Sequence, residues 1–186
     1  EWNAMFLDKT KTTPYFIYQY FMNTSDDDLA KYMKMLTLIE TEEVDEIVAN
    51  HMKKPEDRVG QKLLAFKVVE ILHSTLEAKL SEKISDFMFG DNNKLEILKS
   101  LNNDELDTFK FSMWWFNFSW ENLFETIVTS SLESSNSNAR NAIKAGSIFI
   151  NEEKVTDFNL DLNTCFINDK FILLRKGKKS FRIITK

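Results

Sequence analysis

Apolar residues recur at helical spacing along the first hundred residues of the chain. One such face consists of Leu29, Tyr32, Met33 and Leu36. A spacing of three to four residues is typical of an amphipathic α-helix. Helix start signals accompany the pattern, with Thr13-Pro14 before one apolar stretch and Ser25 with three aspartates before the next. The pattern predicts a helical bundle, including one uninterrupted helix from Pro55 to Leu72.

The pattern changes after residue 120. Two short helical stretches, near 123–128 and 136–145, precede apolar runs typical of strands at 147–150, 171–174 and 180–184. Gly146 is placed to end the second helix with a positive φ. The last two runs flank Lys176-Gly177-Lys178-Lys179, which predicts a β-hairpin with a basic tip. We therefore expect a mainly α chain with a small α+β C-terminal domain: a helical bundle, then two helices and a small antiparallel or mixed sheet.

An aromatic segment, residues 111–120, separates these two patterns. Seven of its ten residues are apolar and six are aromatic, without a 3.6-residue period. One interpretation is an extended linker held by aromatic packing at a domain junction. The other is a platform on which unpaired bases stack. The predicted domains are a helical one at 1–110, the linker at 111–120 and a small α+β domain at 121–186.

Charge is unevenly distributed along the 186 residues. The net charge is −5, which for the whole chain argues against a nucleic-acid-binding protein. However, residues 175–186 carry six basic and no acidic side chains, whereas residues 1–174 carry 18 basic and 29 acidic ones. The basic end indicates a local contact with a polyanion. It is also compatible with a solvated strand edge, where Lys prevents unwanted pairing.

Several kinds of chemistry have no signature in this sequence. The single cysteine, Cys165, excludes a disulfide framework and fits a reducing compartment, so a cytoplasmic location is expected. No apolar run approaches the ~20 residues of a membrane span. His51 and His73 lack partners at ligand spacing, and no phosphate loop or nucleophile elbow is present. We therefore predict no catalytic, metal or cofactor site. Because the first residue is Glu1 rather than Met, we expect a fragment or a processed product.

Two stretches of the sequence resemble one protein family. The first comprises Asn3–Asp8, Lys11–Tyr15 and Tyr18–Asn23; the second comprises Ser137–Arg140, Lys144–Gly146, Ile148–Asn151, Glu153–Asp157 and Arg175–Lys179. The first resembles the segment that follows the KMSKS-type loop of bacterial tyrosyl-tRNA synthetases and leads into their helical anticodon-binding domain. The second resembles the C-terminal domain of the same enzymes, a small RNA-binding fold shared with ribosomal small-subunit protein four.

This resemblance implies the tRNA-binding, anticodon-recognition region of a tyrosine–tRNA ligase. The full-length enzyme would attach tyrosine to its tRNA using ATP, both bound by a catalytic domain whose HIGH and KMSKS sequences are missing here. This chain would bind RNA without catalysis. Because the family dimerises through the missing domain, the chain would be a monomer and the full-length enzyme a homodimer. The alternatives are a stand-alone RNA-binding or regulatory protein and a helical protein-interaction module.

Cations near the C-terminus are the candidates for phosphate contacts. They are Arg140, Lys144, Lys154, Arg175, Lys176, Lys178, Lys179 and Arg182. Arg140 and Lys144 are four residues apart and would share one helix face. Contacts of this kind position an RNA without reading its bases.

Base reading would need different side chains. The resemblance implies an anticodon whose first base is of the guanine type, and a carboxylate matches the two N–H donors of its Watson–Crick edge. Asp26 and Asp27 are the carboxylate candidates, although they are equally well explained as ordinary acidic residues at a helix start. Trp114 and Trp115 are the candidates for stacking on unpaired bases.

Overall fold

The computed structural model of the chain describes residues 5–90, 94–112, 115–117, 122–177 and 180–185. At residues 110–112 and 115–117 it describes the backbone only. Packing divides the chain into two units, residues 1–93 and 94–186. The division lies ahead of the aromatic segment, so the helices between residues 94 and 112 group with the second unit.

In the described part of the first unit, helices make up nearly all regular structure. They are α1 (Pro14–Met22), α2 (Asp26–Leu36), α3 (Thr41–His51), α4 (Val59–Leu72) and α5 (Thr75–Phe89). The predicted caps are present, since Thr13 Oγ1 accepts a hydrogen bond from the Phe16 amide and Ser25 Oγ accepts one from the Asp28 amide. Side-chain oxygens thus satisfy backbone donors that the first helical turn leaves unpaired.

The first core surrounds α1. This helix is apolar on most faces, and it packs against both α4 and α5 with Ile17 and Tyr18 fully buried. Helix α2 adds Leu29 and Met33, which are also fully buried. No helix in the described ranges is long and apolar enough to cross a membrane.

The predicted start of the fourth helix is wrong by four residues. Pro55–Asp57 form a 3₁₀ turn, Arg58 adopts a left-handed backbone with φ 52°, and α4 begins only at Val59. Such a conformation is costly for a residue with a Cβ. Here the Arg58 amide closes the turn onto the Pro55 carbonyl, and its Nη1 donates to the Met22 carbonyl at 3.3 Å. These two hydrogen bonds stabilise the backbone conformation of Arg58 that separates the 3₁₀ turn from α4.

The second unit combines helices with a mixed sheet. Its described helices are α6 (Lys94–Lys99), α7 (Asn103–Ser112), α8 (Leu123–Thr129) and α9 (Asn136–Lys144). Its described strands are β1 (Trp115–Asn117), β2 (Ile148–Ile150), β3 (Glu153–Lys154), β4 (Phe171–Lys176) and β5 (Ser180–Thr185). The strand order is β1-β5-β4-β2-β3, with β1 parallel to β5 and the other pairs antiparallel. The predicted fold class, mainly α with a small α+β part, is confirmed.

Two turns fix the register of this sheet. Asn151 and Glu152 connect β2 to β3 with φ of 50° and 68°, as a two-residue hairpin turn requires. The Asn151 side chain accepts from the Leu173 amide at 3.0 Å and donates to the Cys165 carbonyl at 2.6 Å. The β4–β5 hairpin runs from the Phe171–Thr185 pair to the Lys176–Ser180 pair, so the predicted hairpin is confirmed.

The second core lies between the sheet and the helix pair α8 and α9. Its members include Leu123, Ile127, Ala139, Ile143, Ile148, Ile172 and Leu174. Alternate residues of β4 point to opposite faces of the sheet, and Phe171 and Leu173 on the other face are buried as well. Gly146, with φ 66°, follows α9 and ends it as predicted. The position of α9 against the sheet is therefore fixed by apolar packing.

Gly60→Ala tests the close approach of α4 to α2 and α3. A Cβ at residue 60 would overlap Leu29 Cδ2 and lie 3.1 Å from Cγ of His51. We expect this overpacking to lower the free energy of unfolding by about 1–3 kcal/mol, although Ala is the better helix former by about 1 kcal/mol. Urea unfolding followed by circular dichroism measures the change.

Val59→Ala is the matched control, because it alters an exposed neighbour on the same helix. This control should change the unfolding free energy by less than about 0.5 kcal/mol. A Gly60→Ala variant as stable as the unsubstituted protein would contradict the close packing of the three helices.

Candidate nucleic-acid interface

Arg140 and Lys144 lie on the exposed side of α9. The other side of this helix carries the buried residues Ala139, Ala142 and Ile143, so the core fixes which way the helix faces. Four residues correspond to about 6 Å along a helix axis, and residues at this spacing share one face. Both cations are exposed to solvent. The structure thus places two of the predicted phosphate ligands side by side.

Lys154 reaches the end of the same helix from strand β3. A Cβ at Gly146, two residues beyond α9, would overlap Cε and Nζ of Lys154. The absence of a side chain at Gly146 therefore lets the Lys154 side chain cross the backbone there. Its ammonium group lies near the C-terminal turn of α9, the negative end of the helix dipole. Arg140, Lys144 and Lys154 together are called the α9 cation stripe below.

Two phenylalanine rings lie against the Arg140 guanidinium. Its Cζ is 5.0 Å from the ring centroid of Phe124 and 5.7 Å from that of Phe158. The two rings stack on each other with centroids 6.0 Å apart and 21° between their planes. Both are partly buried against the second core. Within the described ranges, no acidic or carbonyl group accepts a hydrogen bond from Arg140.

Arg175, another predicted phosphate ligand, is bound by its own chain. Its Nε and Nη2 donate to Glu152 Oε2 at 3.0 and 2.7 Å, and its Nη1 donates to the Gly177 carbonyl. The guanidinium also lies 4.1 Å from the ring centroid of Phe149. Only 16% of the side chain is exposed. Arg175 therefore holds the β2–β3 turn and the hairpin tip in place.

Lys176 and Arg182 are also engaged inside the second unit. Lys176 Nζ lies 2.8 Å from Glu133 Oε1, and the Glu133 side chain is only 12% exposed. Arg182 Nε donates to the Ser130 carbonyl at 2.8 Å. Any RNA phosphate would have to compete with these internal acceptors.

The side chains of four predicted site residues lie outside the described part of the structure. Trp114, Lys178 and Lys179 lie outside the described residues. The backbone of Trp115 forms the first residue of β1, opposite Ile183 of β5, but its ring lies outside the described part. Their proposed contacts with phosphates and bases stay predictions.

The two candidate carboxylates of the first unit have different surroundings. Asp26 Oδ1 lies 2.9 Å from Nε2 of His51 and accepts a hydrogen bond from Nε2 of Gln61 at 2.6 Å. An ionised carboxylate only accepts hydrogen bonds, so His51 carries its proton on Nε2 in this pair. Asp27, the next residue, is exposed, and no described residue pairs with it or donates a side-chain hydrogen bond to it.

Asp26 joins the start of α2 to the end of α3 and to α4. His51 and Gln61 are almost fully buried, and the His51 ring packs against Gly60. Hydrogen bonds from His51 and then from Gln61 hold the pKa of the Asp26 carboxyl below its usual value. His51 Nδ1 and Gln61 Oε1 are buried and have no hydrogen-bond partner among the described residues. Asp26 is thus a structural anchor, and Asp27 is the more accessible carboxylate.

Clefts are present in both units. The one in the second unit has a volume of about 420 Å³ and includes Asn151, Lys154 and Cys165 in its lining. The one in the first unit has a volume of about 350 Å³ and includes Arg58 and Asp86. In the ranges that the structure describes, no group of three His, Cys, Asp or Glu side chains is placed to hold a metal ion.

Asp26→Asn tests the anchor. An amide accepts hydrogen bonds from His51 and Gln61 without the negative charge, so the first unit should unfold at a lower urea concentration. A carboxyl with a lowered folded pKa stabilises the protein above its unfolded pKa, about 3.9, and loses this contribution as the pH falls through the folded value. The difference in unfolding free energy between the unsubstituted protein and Asp26→Asn should therefore have its full size at pH 5 and be smaller at pH 3.

Asp27→Asn is the matched control, because it removes the same charge from the same helical turn. It should lower the urea midpoint less and show a smaller change between pH 5 and pH 3. If both variants behaved alike, Asp26 would be an ordinary acidic residue at a helix start.

Two family descriptions match separate parts of the chain. Residues 1–90 match "tRNA synthetases class I (W and Y)". Residues 112–184 match the "Tyrosine–tRNA ligase SYY-like C-terminal domain". The second match includes helices α8 and α9 and the whole α9 cation stripe.

Curated relatives align along almost the whole chain. "Tyrosine–tRNA ligase 2" of Bacillus cereus is 35% identical over 184 residues, covering 97% of this chain and 43% of the relative. "Tyrosine–tRNA ligase" of Macrococcus caseolyticus is 35% identical over 186 residues, covering 99% and 43%. The chain therefore spans less than half the length of these relatives. A solved structure of a C-terminally truncated mitochondrial tyrosyl-tRNA synthetase from Coccidioides posadasii matches 44% of this chain and 22% of that chain, at 40% identity and a TM-score of 0.42.

Proposed function

Because the chain belongs to the tyrosine–tRNA ligase family, we propose that it is the tRNA-binding part of such an enzyme. The whole enzyme would attach tyrosine to its tRNA using ATP. This chain corresponds to 43% of the length of the relatives, so ATP and tyrosine would be bound by the catalytic part and this part would need no cofactor. With this role in translation, the protein would act in the cytoplasm.

The α9 cation stripe is the observation that carries this proposal. Two cations lie on the exposed side of α9 and a third, Lys154 of β3, lies at its C-terminal end, in the unit that matches the family's C-terminal domain. Each neutralised phosphate releases counterions and contributes a slope of roughly −0.7 to −0.9 in log K against log salt. A few such contacts give affinity for any tRNA, without sequence preference.

Recognition of a particular tRNA would come from the first unit. Asp27 is exposed at the start of α2, whereas the neighbouring Asp26 is occupied by His51 and Gln61. A free carboxylate pairs with the two N–H donors of a guanine-type base edge. We therefore assign base reading to Asp27 and the positioning of the α2 start to Asp26.

The proposed oligomeric state follows from assigning this chain to the tRNA-binding part of the enzyme. If the catalytic part holds the dimer interface, this chain alone is a monomer, and the full-length enzyme is a homodimer. Sedimentation velocity of the chain tests this point, and a tight dimer would contradict it.

Binding of two tRNAs over a range of salt concentrations tests the division of roles. Lys144→Ala should weaken binding to tyrosine tRNA and to a tRNA with another first anticodon base equally, and reduce the salt slope by about 0.7–0.9. Asp27→Ala should weaken tyrosine tRNA binding about 5- to 100-fold, as the loss of a base-edge pair predicts, and leave the other tRNA nearly unaffected.

Lys99→Ala is the control for charge, because this exposed lysine of the second unit is already paired with Glu96. It should leave both affinities unchanged. Equal losses for both tRNAs in Asp27→Ala would refute base reading, and an unchanged salt slope in Lys144→Ala would refute the phosphate contact.

The internal ion pair of Lys176 gives an independent test. Glu133→Gln removes the carboxylate that holds Lys176 and should strengthen binding to any tRNA about two- to fivefold, because a cation becomes available for a phosphate. The control is Glu125→Gln, which removes the same charge from helix α8 without releasing Lys176. A gain in both variants of the same size would mean that only net charge matters.

A further inference from the structure

We infer that Phe124 and Phe158 are positioning residues, whose stacked rings hold the Arg140 guanidinium so that its N–H donors bind one RNA phosphate. The inference rests on the proposed function, since it requires that α9 faces RNA. It adds two apolar residues that carry no charge and make no direct contact with the phosphate.

The chemistry of the guanidinium group supports this role. The group is planar, stacks on aromatic faces, and keeps its N–H donors in the plane of the group. Contact with the Phe124 and Phe158 rings, at 5.0 and 5.7 Å, therefore leaves those donors available for the oxygens of a phosphate, which a guanidinium can bind in pairs. A long exposed side chain loses rotamer freedom when it binds, and support by rings reduces this loss in advance.

The rings themselves are held by local structure. Phe124 lies in the first turn of α8, where its amide donates to the Asn122 side chain at 3.1 Å. Phe158 lies in a turn in which the Asn159 amide donates to Asp157 Oδ1 at 2.8 Å. Both rings pack on the second core. The platform therefore keeps its place relative to α9 before any ligand binds.

Arg175 provides a comparison within the same unit. It also lies on a ring, at 4.1 Å from the Phe149 centroid, but Glu152 and Gly177 accept its hydrogen bonds. Arg140 combines ring support with donors that no described residue accepts. Lys144 has accessible charge without a ring. Of these three cations, Arg140 is therefore the one prepared for a directional contact.

A double-mutant cycle on the full chain tests the inference with tyrosine tRNA as the probe. The ring variant carries Phe124→Leu and Phe158→Leu, which keep apolar bulk and remove both rings. It should weaken binding about 2- to 10-fold, the range expected for the loss of two cation–π contacts. Arg140→Ala should weaken binding about 10-fold or more. In the Arg140→Ala background the ring variant should have no further effect.

Conservative variants keep the test independent of folding. Phe158→Tyr retains a ring and should retain the affinity, and Arg140→Lys should keep the salt slope while losing most of the affinity that Arg140→Ala loses. Urea unfolding of each variant is measured beside binding. A ring variant that unfolds is replaced by Phe158→Leu alone, with the same expected dependence on Arg140.

The outcomes separate the inference from the proposed function. If Arg140→Ala weakens binding but the ring variant does not, the positioning role is overturned and the phosphate contact stands. Equal loss from the ring variant in both backgrounds would show a purely structural role and also overturn the inference. If Arg140→Ala itself has no effect on tRNA binding, the proposed RNA face on α9 is overturned.

Discussion

A charged side chain binds an RNA phosphate or base more readily when no group of its own chain already satisfies it. This constraint divides residues of the same type in this protein. Asp26 holds His51 and Gln61, whereas its neighbour Asp27 is exposed. In the same way Glu152 occupies Arg175, while Arg140 has no acceptor among the described residues. Because displacing an internal partner leaves that partner unpaired, the paired side chains are less available to RNA than the unpaired ones.

The same constraint explains how a chain with a net charge of −5 could bind RNA as proposed. An overall negative chain repels RNA at long range, but contacts form within a Debye length of about 8–10 Å. Arg140 and Lys144 are exposed on α9, whose apolar side fixes its orientation on the sheet, and Lys154 of β3 lies at the end of this helix. Asp27, the exposed one of the two candidate carboxylates, lies in the other unit at the start of α2. Under the proposed function, phosphate binding would fall to the second unit and base reading to the first, each with its own core.

Local interactions were predictable from the sequence, and distant partners were not. The caps at Thr13 and Ser25 and the helix end at Gly146 depend on neighbouring residues, so their patterns were sufficient. The partners that decide availability are far apart along the chain. Glu152 lies 23 residues from Arg175. His51 and Gln61 lie 25 and 35 residues from Asp26. The ring support of Arg140 and the parallel pairing of β1 with β5 likewise arise only from tertiary packing, for which no spacing rule exists.

Nuclear magnetic resonance of the arginine side chains tests the central claim most directly. The Nε–Hε signals of Arg140 and Arg175 report on the two guanidinium groups separately in one titration with tyrosine tRNA. The account predicts that the Arg140 signal shifts and becomes protected from solvent exchange, while the Arg175 signal, held by Glu152, stays where it is. A shift of Arg175 with an unchanged Arg140 would contradict the claim that internal pairing decides which charges meet the RNA.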